Sequence, residues 1–217
     1  MDPGALTPAY RRDRRRLVER LRAAGIEDLA ILHAFDTVPR HHFVPEAVRH
    51  RAYQDVALPL GFGQSISRPT VHAFHLSLAE LQGEEEVLEI GTGSGFQTAL
   101  LAALARRVHS VEVIPELAEM ARRLLTELGV GNVEIRTGDG SRGWPEAAPF
   151  DVILVGAAVP AIPRELRAQL ADGGRMVIPV GEAEHGQELR RLRRRDGEWE
   201  EEVIDSARFI PLLRGGV

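Results

Sequence analysis

Cysteine is absent from this chain of 217 residues, which excludes disulfide frameworks, thiolate metal sites and cysteine nucleophiles. Long apolar runs are also missing: no hydrophobic stretch follows the basic start of the sequence, and no segment approaches the roughly 18 apolar residues of a membrane helix. Neither charge sign dominates, since the formal net charge is −5, so the overall charge favours neither nucleic acid nor an anionic membrane. We therefore expect a cytoplasmic protein without a nucleic-acid or membrane partner.

The length allows one substantial hydrophobic core and is short for two. We predict a monomer with a single domain, residues 1–217, in which an N-terminal helical and loop extension (about 9–82) precedes a core (about 83–217). Helical spacing of apolar residues predicts helices at 8–24, 27–38, 71–81, 96–105, 115–128 and 162–170. The arginines of the first helix are interpreted as a solvated face. The stretch at 39–69 has no sustained period, but its aromatic residues favour an ordered loop.

Short apolar runs alternate with the later helices. They predict strands at 87–90, 108–113, 133–135, 152–155 and 176–180. Two further strand-like runs, 188–193 and 199–204, are joined by the turn Arg195-Asp196-Gly197. The pattern predicts an α/β fold: a doubly wound Rossmann-like sheet, mostly parallel with antiparallel C-terminal strands, plus the N-terminal helices. Its ligand crevice is expected beyond the carboxyl ends of the parallel strands.

The sharpest local motif is the sequence VLEIGTGSGF at residues 87–96, an apolar strand that enters a glycine turn at the start of a helix. Glycines there let the backbone approach a nucleotide-like ligand closely. A dinucleotide-binding turn has glycine at its sixth position, where this chain has Phe96. The spacing therefore favours a methyltransferase that binds S-adenosylmethionine, with Glu89 facing the ammonium of the donor's amino-acid tail. A dinucleotide enzyme stays open as the alternative.

Acidic residues follow the next two predicted strands. Glu112 lies about twenty residues after the first glycine, where a carboxylate accepts hydrogen bonds from ribose hydroxyls. Asp139, within Gly138-Asp139-Gly140, is placed to accept a hydrogen bond from an adenine amino group. One acidic residue at such a position is usually a turn former. Three at successive strand ends, Glu89, Glu112 and Asp139, together predict an adenosine site.

Other chemical motifs are incomplete. The sequence DGSRG at 139–143 lacks the first glycine of a nucleophile elbow, which disfavours a hydrolase. His72 and His75 are three residues apart on a predicted helix, but no third ligand has recognisable spacing. We predict no metal site.

The stretch LPLGFGQSISRP at residues 58–69 resembles the signature of protein-L-isoaspartate O-methyltransferases. The resemblance covers residues 12–213, and its further matches lie at 38–40, 43–45, 87–96, 138–140, 148–151, 173–175, 178–181 and 208–212. It implies an enzyme that methylates the free α-carboxylate of L-isoaspartyl residues in damaged proteins, with S-adenosyl-L-methionine as donor and S-adenosyl-L-homocysteine as product. The ester is then expected to cyclise to a succinimide, which reopens partly as normal aspartate.

The resemblance also implies residue roles. Ser67 corresponds to the active-site serine, and Ile210 and Pro211 belong to a segment that holds the substrate backbone. The residues expected to bind the donor are Gln64, Ser65, Ile66, His72, Glu89, Gly91, Thr92, Gly93, Gly95, Glu112, Asp139 and Gly140. Arg68 stands where glutamine or alanine is common, and Ile210 where valine is common.

The missing general base agrees with this chemistry, because a carboxylate with a pKa near 4 is already a nucleophile at neutral pH. Three alternatives remain: a methyltransferase of the same fold acting on aspartate of one dedicated modified peptide, a nicotinamide-dependent oxidoreductase, and a noncatalytic adenosine-binding module. The presence of Ser67 together with the residues expected to bind the methyl donor disfavours the noncatalytic module.

Overall fold

The computed structural model describes residues 10–182 and 184–213. The helices are α1 (Arg11–Ala23), α2 (Leu29–Thr37), α3 (Pro69–Ala79), α4 (Phe96–Leu104), α5 (Pro115–Glu127) and α6 (Arg164–Ala168). The strands are β1 (Leu58–Gly61), β2 (Gln64–Ile66), β3 (Glu86–Ile90), β4 (Arg107–Glu112), β5 (Val133–Thr137), β6 (Phe150–Val155), β7 (Leu170–Glu182), β8 (Gly186–Arg195) and β9 (Glu198–Ala207). Every predicted helix and strand is present, with shifted ends, although the predicted start of the first helix at residues 8 and 9 lies outside the described residues. In this part of the chain, no helix is both long and apolar enough to cross a membrane.

Seven strands form one sheet in the order β5-β4-β3-β6-β7-β8-β9. The strands from β5 to β7 are parallel, whereas β8 and β9 are antiparallel to their neighbours. The chain runs outward from β3 through β4 to β5 and then returns to β6 on the other side of β3. This reversal is the switch point where open α/β sheets bind ligands. The predicted fold class is confirmed.

The core lies on both faces of the sheet because successive side chains of a strand point in opposite directions. On one face, Val87 packs with α2, α3 and α4 in a cluster that includes Phe35, Leu76 and Leu101. On the other face, Leu88 packs in a second cluster around α6 and β7. The N-terminal helices therefore cover one face of the sheet next to its switch point.

A hairpin formed by β1 and β2 lies inside the stretch where the sequence predicted only an ordered loop. Its turn contains Gly61, Phe62 and Gly63, whose φ angles are 89°, 52° and 69°. Phe62 is 53% exposed at this turn, whereas Phe43 and Tyr53 are buried. The hairpin leads directly into Ser67 and α3, so it presents the signature stretch to the sheet edge.

The β8–β9 hairpin closes within the predicted turn Arg195-Asp196-Gly197: Arg195 pairs with Glu198, and the two residues between them, Asp196 and Gly197, both have positive φ. Arginines of β8 pair with glutamates of β9, as in the 2.6 Å contact between Arg190 and Glu201. A charged edge strand of this kind discourages pairing with other sheets.

Candidate active site

The glycine turn between β3 and α4 has the open geometry that a ligand needs. Gly91 has a φ of 93°, and its amide donates to the carbonyl of Val111 at 2.8 Å. A Cβ at this position would strain the backbone but would meet no protein atom within 4 Å. The conformation therefore requires glycine, while the space above the turn is free for a bound molecule.

A crevice above this turn brings together most of the residues that the sequence singled out. The predicted residues that line it are Gln64, Ser65, Ile66, Ser67, His72, Gly91, Thr92, Gly93, Glu112, Gly140, Ile210 and Pro211. Glu89, Gly95 and Asp139 lie outside this lining. These segments meet because the carboxyl ends of β3, β4 and β6 share one edge of the sheet with the β1–β2 hairpin and the C-terminal segment.

Glu112 is the acidic group at the crevice. Its Oε2 accepts a hydrogen bond from the amide of Gly93 at 2.8 Å, and its Oε1 accepts one from the amide of Ile114 at 3.0 Å. A carboxylate offers about four acceptor positions, so each oxygen keeps capacity for a ligand hydroxyl. The two backbone bonds also fix the carboxylate against the glycine turn.

Glu89 is completely buried below the turn. Its Oε2 accepts hydrogen bonds from the hydroxyls of Thr98 at 2.6 Å and Ser110 at 2.7 Å. Burial raises the pKa of Glu89 to about 7, and the bonds from Ser110 and Thr98 oppose this only in part. In this arrangement Glu89 links β3, β4 and α4 and supports the turn from beneath.

Asp139 and Gly95, which were also predicted to bind the methyl donor, contact other parts of the protein. Asp139 accepts hydrogen bonds on Oδ1 from the amide and hydroxyl of Ser141, at 2.9 and 2.8 Å. Gly95 begins α4 in a left-handed conformation beside Ala121. Gly140 does line the crevice, and a Cβ there would collide with Ile90.

His72 projects from α3 to the crevice as a neutral imidazole. Its Nδ1 lies 2.8 Å from the side-chain oxygen of Gln97, so Nδ1 donates and Nε2 is left as an acceptor. That Nε2 is buried without a hydrogen-bond partner among the described residues. Burial, helped by the nearby charge of Arg40, lowers the pKa of His72 to about 3. The crevice therefore contains an unused acceptor.

A second, wider groove adjoins the crevice and has a volume of ≈ 560 Å³. Ser67 lines both cavities. Its hydroxyl makes no hydrogen bond within residues 10–182 and 184–213, whereas its carbonyl accepts from Arg40 at 3.0 Å. The Ser67 hydroxyl is thus free at the junction, while its backbone is fixed.

Arg40 lies behind the site and holds the backbone of Ser67, and the sequence predicted no role for it. The side chain is fully buried, and its Nε also donates to the carbonyl of Ala52 at 2.7 Å. The guanidinium lies 4.8 Å from the centroid of the Phe96 ring, at the start of α4. Arg40 therefore joins the loop containing Ser67 to the helix that follows the glycine turn. The only signal in the sequence was its place in the family-like stretch at 38–40.

Phe96 explains the departure from a dinucleotide-binding turn. Its buried ring makes edge contacts with Phe35, Phe43 and His72. A glycine at this position would leave the N-terminal segment without its packing partner on α4.

The C-terminal segment closes the other side of both cavities. Residues of this segment bond to the loop after β6: the amide of Ala158 donates to Ile210 and the amide of Leu212 donates to Ala158, each at 2.8 Å. Phe209 stacks on His75 of α3 with ring centroids 5.1 Å apart. Ile210 lines both cavities, whereas Pro211 lines the crevice alone.

Comparisons with known proteins agree on one family. The family model described as protein-L-isoaspartate(D-aspartate) O-methyltransferase matches residues 12–216. Proteins named protein-L-isoaspartate O-methyltransferase from Anaeromyxobacter dehalogenans (strain 2CP-C) and Photorhabdus laumondii are 56% and 49% identical to this chain. The first match covers 91% of this chain and 96% of the relative, and the second covers 92% and 95%.

Solved structures carry the same name. One is 29% identical with a TM-score of 0.86, over 93% of this chain and 66% of the other. Another, from Plasmodium falciparum and in complex with S-adenosyl-L-homocysteine, is 23% identical with a TM-score of 0.80, over 92% of this chain and 97% of the other. At that identity the second structure supports the fold alone.

Proposed function

The chain belongs to the protein-L-isoaspartate(D-aspartate) O-methyltransferase family, and from this premise we propose how its residues carry the reaction. It methylates the free α-carboxylate of L-isoaspartyl residues in proteins, with S-adenosyl-L-methionine as the methyl donor. The observation that carries the proposed roles is the position of Ser67, where the crevice at the glycine turn meets the wider groove.

The residues around the crevice fit this donor. Open space above Gly91 admits a ligand, and the carboxylate of Glu112 keeps acceptors for the two ribose hydroxyls. The unpartnered Nε2 of His72 is an acceptor for the ammonium of the amino-acid tail. When bound, the donor supplies a methyl group on a positively charged sulfur. The contacts with the methyl donor that were predicted for Glu89 and Asp139 would be additional to the hydrogen bonds that these side chains make within the protein.

Ser67 orients the substrate. The isoaspartyl carboxylate is ionised at neutral pH and needs no general base, so the protein has only to hold it in line with the methyl group. The free hydroxyl of Ser67 donates a hydrogen bond to one carboxylate oxygen and leaves the other to react. Arg40 keeps this hydroxyl in place through the Ser67 carbonyl.

Exclusion of water favours the same step. An anion and a cation become two uncharged groups, so water around the reactants would stabilise them more than the transition state. Ile66, Val71 and Phe209 give the crevice apolar walls near Ser67. These walls leave the carboxylate with few hydrogen bonds besides that of Ser67.

The wider groove recognises the peptide. An isoaspartyl residue routes the main chain through its β-carbonyl, so recognition must read the backbone. Ser65 of the β1–β2 hairpin and Ile210 of the C-terminal segment both line the groove, and we assign pairing with the peptide backbone to these two segments. After release, the backbone amide nitrogen attacks the new ester and expels methanol, which forms the succinimide.

Replacing Ser67 with alanine tests the assigned role. We expect single-turnover methyl transfer to slow by about 10- to 100-fold, because a hydrogen bond to a charged group contributes about 1.5–3 kcal/mol. Affinity for S-adenosyl-L-homocysteine should stay within about threefold of wild type. Ser77→Ala, in which the lost hydroxyl bonds only within α3, is the matched control. An unchanged rate in Ser67→Ala would remove the serine from the mechanism.

The remaining predictions rest on composition. We propose a cytoplasmic, single-domain monomer that binds no nucleic acid. Absence of cysteine agrees with a reducing cytoplasm, and the net charge of −5 gives no overall attraction to nucleic acid. On the basic helix α1, Arg14 is buried beside Asp36 at 3.6 Å, which supports a packing role for that arginine.

A further inference from the structure

The wider groove has more basic than acidic side chains in its lining. Arg68 and Arg208 line it together with one acidic residue, Asp205. His75 is the other titratable residue in the lining, and burial lowers its pKa to about 4, so it is neutral. Two cations against one anion leave the groove with a net positive charge.

Both arginines have free guanidinium groups within the described part of the chain. Neither Arg68 nor Arg208 makes an ion pair or a side-chain hydrogen bond there, and both side chains are exposed. Arg191 of β8, by contrast, is held by Glu80 at the end of α3 and by Glu202. The two free cations are therefore available to a bound peptide.

These cations lie away from the reacting carboxylate. Ser67 lines both cavities, but Arg68, Arg208 and Asp205 line the groove alone. A cation next to the reacting oxygen would stabilise the ionised substrate and slow its methylation. Placed outside the crevice, the arginines instead face residues that flank the isoaspartyl residue.

The rest of the groove suits a peptide rather than a free anion. Ile26, Phe74 and Leu189 contribute apolar surface to its lining. The overall charge of −5 opposes acidic peptides at long range, but salt screens that effect beyond about 8–10 Å. Within that distance, the two arginines determine the charge that a bound peptide meets.

We propose that Arg68, with Arg208, makes this enzyme prefer isoaspartyl sites that have an acidic side chain one or two residues away. The inference rests on the proposed use of the groove for the peptide.

The test uses isoaspartyl peptides of matched sequence with Glu, Gln or Lys next to the isoaspartyl residue, on either side. For wild type we expect kcat/KM for the better Glu peptide to exceed that of its Lys twin by about tenfold at low salt. The ratio should fall to about threefold in Arg68→Gln, approach one in the Arg68→Gln, Arg208→Gln double variant, and rise in Asp205→Asn. Arg164→Gln, an exposed arginine outside both cavities, should keep the wild-type ratio.

The outcomes separate this inference from the proposed function. Methylation of all the peptides with no charge preference, or a preference that Arg68→Gln leaves unchanged, overturns the role of Arg68. Failure of wild type to methylate even the Gln peptide overturns the proposed function instead. Added salt should reduce the Glu-to-Lys ratio, and a salt-independent ratio would contradict a charge effect.

Discussion

Replacing Glu112 with alanine should weaken binding of S-adenosyl-L-homocysteine by about 100-fold or more. The variant loses the acceptors for both ribose hydroxyls, and hydrogen bonds to a charged group contribute about 1.5–3 kcal/mol each. It also frees the amide of Gly93, which Glu112 holds at 2.8 Å. Isothermal titration with the product measures the effect directly, independently of any peptide substrate.

Glu116→Ala is the control for this prediction. Glu116 is exposed in the first turn of α5, so its removal changes the net charge equally without touching the crevice. Its product affinity should match wild type. If Glu112→Ala remained folded and bound the product within about threefold of wild type, the donor would not lie where we place it.

Replacing Arg40 with methionine should lower both stability and turnover. The buried carbonyl of Ala52 and the partly buried carbonyl of Ser67 lose their donor, and an unsatisfied buried acceptor costs about 1–3 kcal/mol. Methionine keeps apolar contact with Phe96, so we expect a net loss of about 2–4 kcal/mol and a fall in Tm of roughly 10 °C. Turnover should fall further than the loss of folded protein explains, because Ser67 is no longer fixed.

Arg40→Lys separates positioning from charge. Burial lowers the pKa of Arg40 to about 9, so the native group is still a cation at neutral pH, and lysine keeps that charge. A single ammonium replaces the fork of donors, so only part of the stability and turnover should return. Arg15→Met, on the exposed face of α1, is the control. Wild-type turnover in folded Arg40→Met would exclude a positioning role.

The sequence predicted the parallel core and most of the crevice because those features are local. Apolar runs followed by glycine or an acidic residue mark strand ends, and the parallel strands bring these ends to one edge. Glu112 and the glycine turn could be recognised in this way. Ser67 came from the family resemblance, since nothing in its spacing distinguishes it from a turn serine.

Other features depend on contacts that local patterns do not contain. The β1–β2 hairpin carries proline and glycine in very short strands, which hides the alternation of a strand. Similarly, β7 begins at Leu170, before the turn-like Asp172-Gly173-Gly174, where the sequence predicted the end of a helix. Arg40 acts on Ser67 across 27 residues of sequence, and Glu89 is buried by packing that its strand position alone does not reveal.

The central claim is that the enzyme methylates the α-carboxylate that an isoaspartyl residue leaves free because the main chain runs through its β-carbonyl. Its most direct test supplies donor labelled in the methyl group, together with a synthetic isoaspartyl peptide or its aspartyl twin of identical sequence. We predict that the isoaspartyl peptide gains label while the twin stays at background. Equal labelling of both peptides, or none in either, would contradict the account.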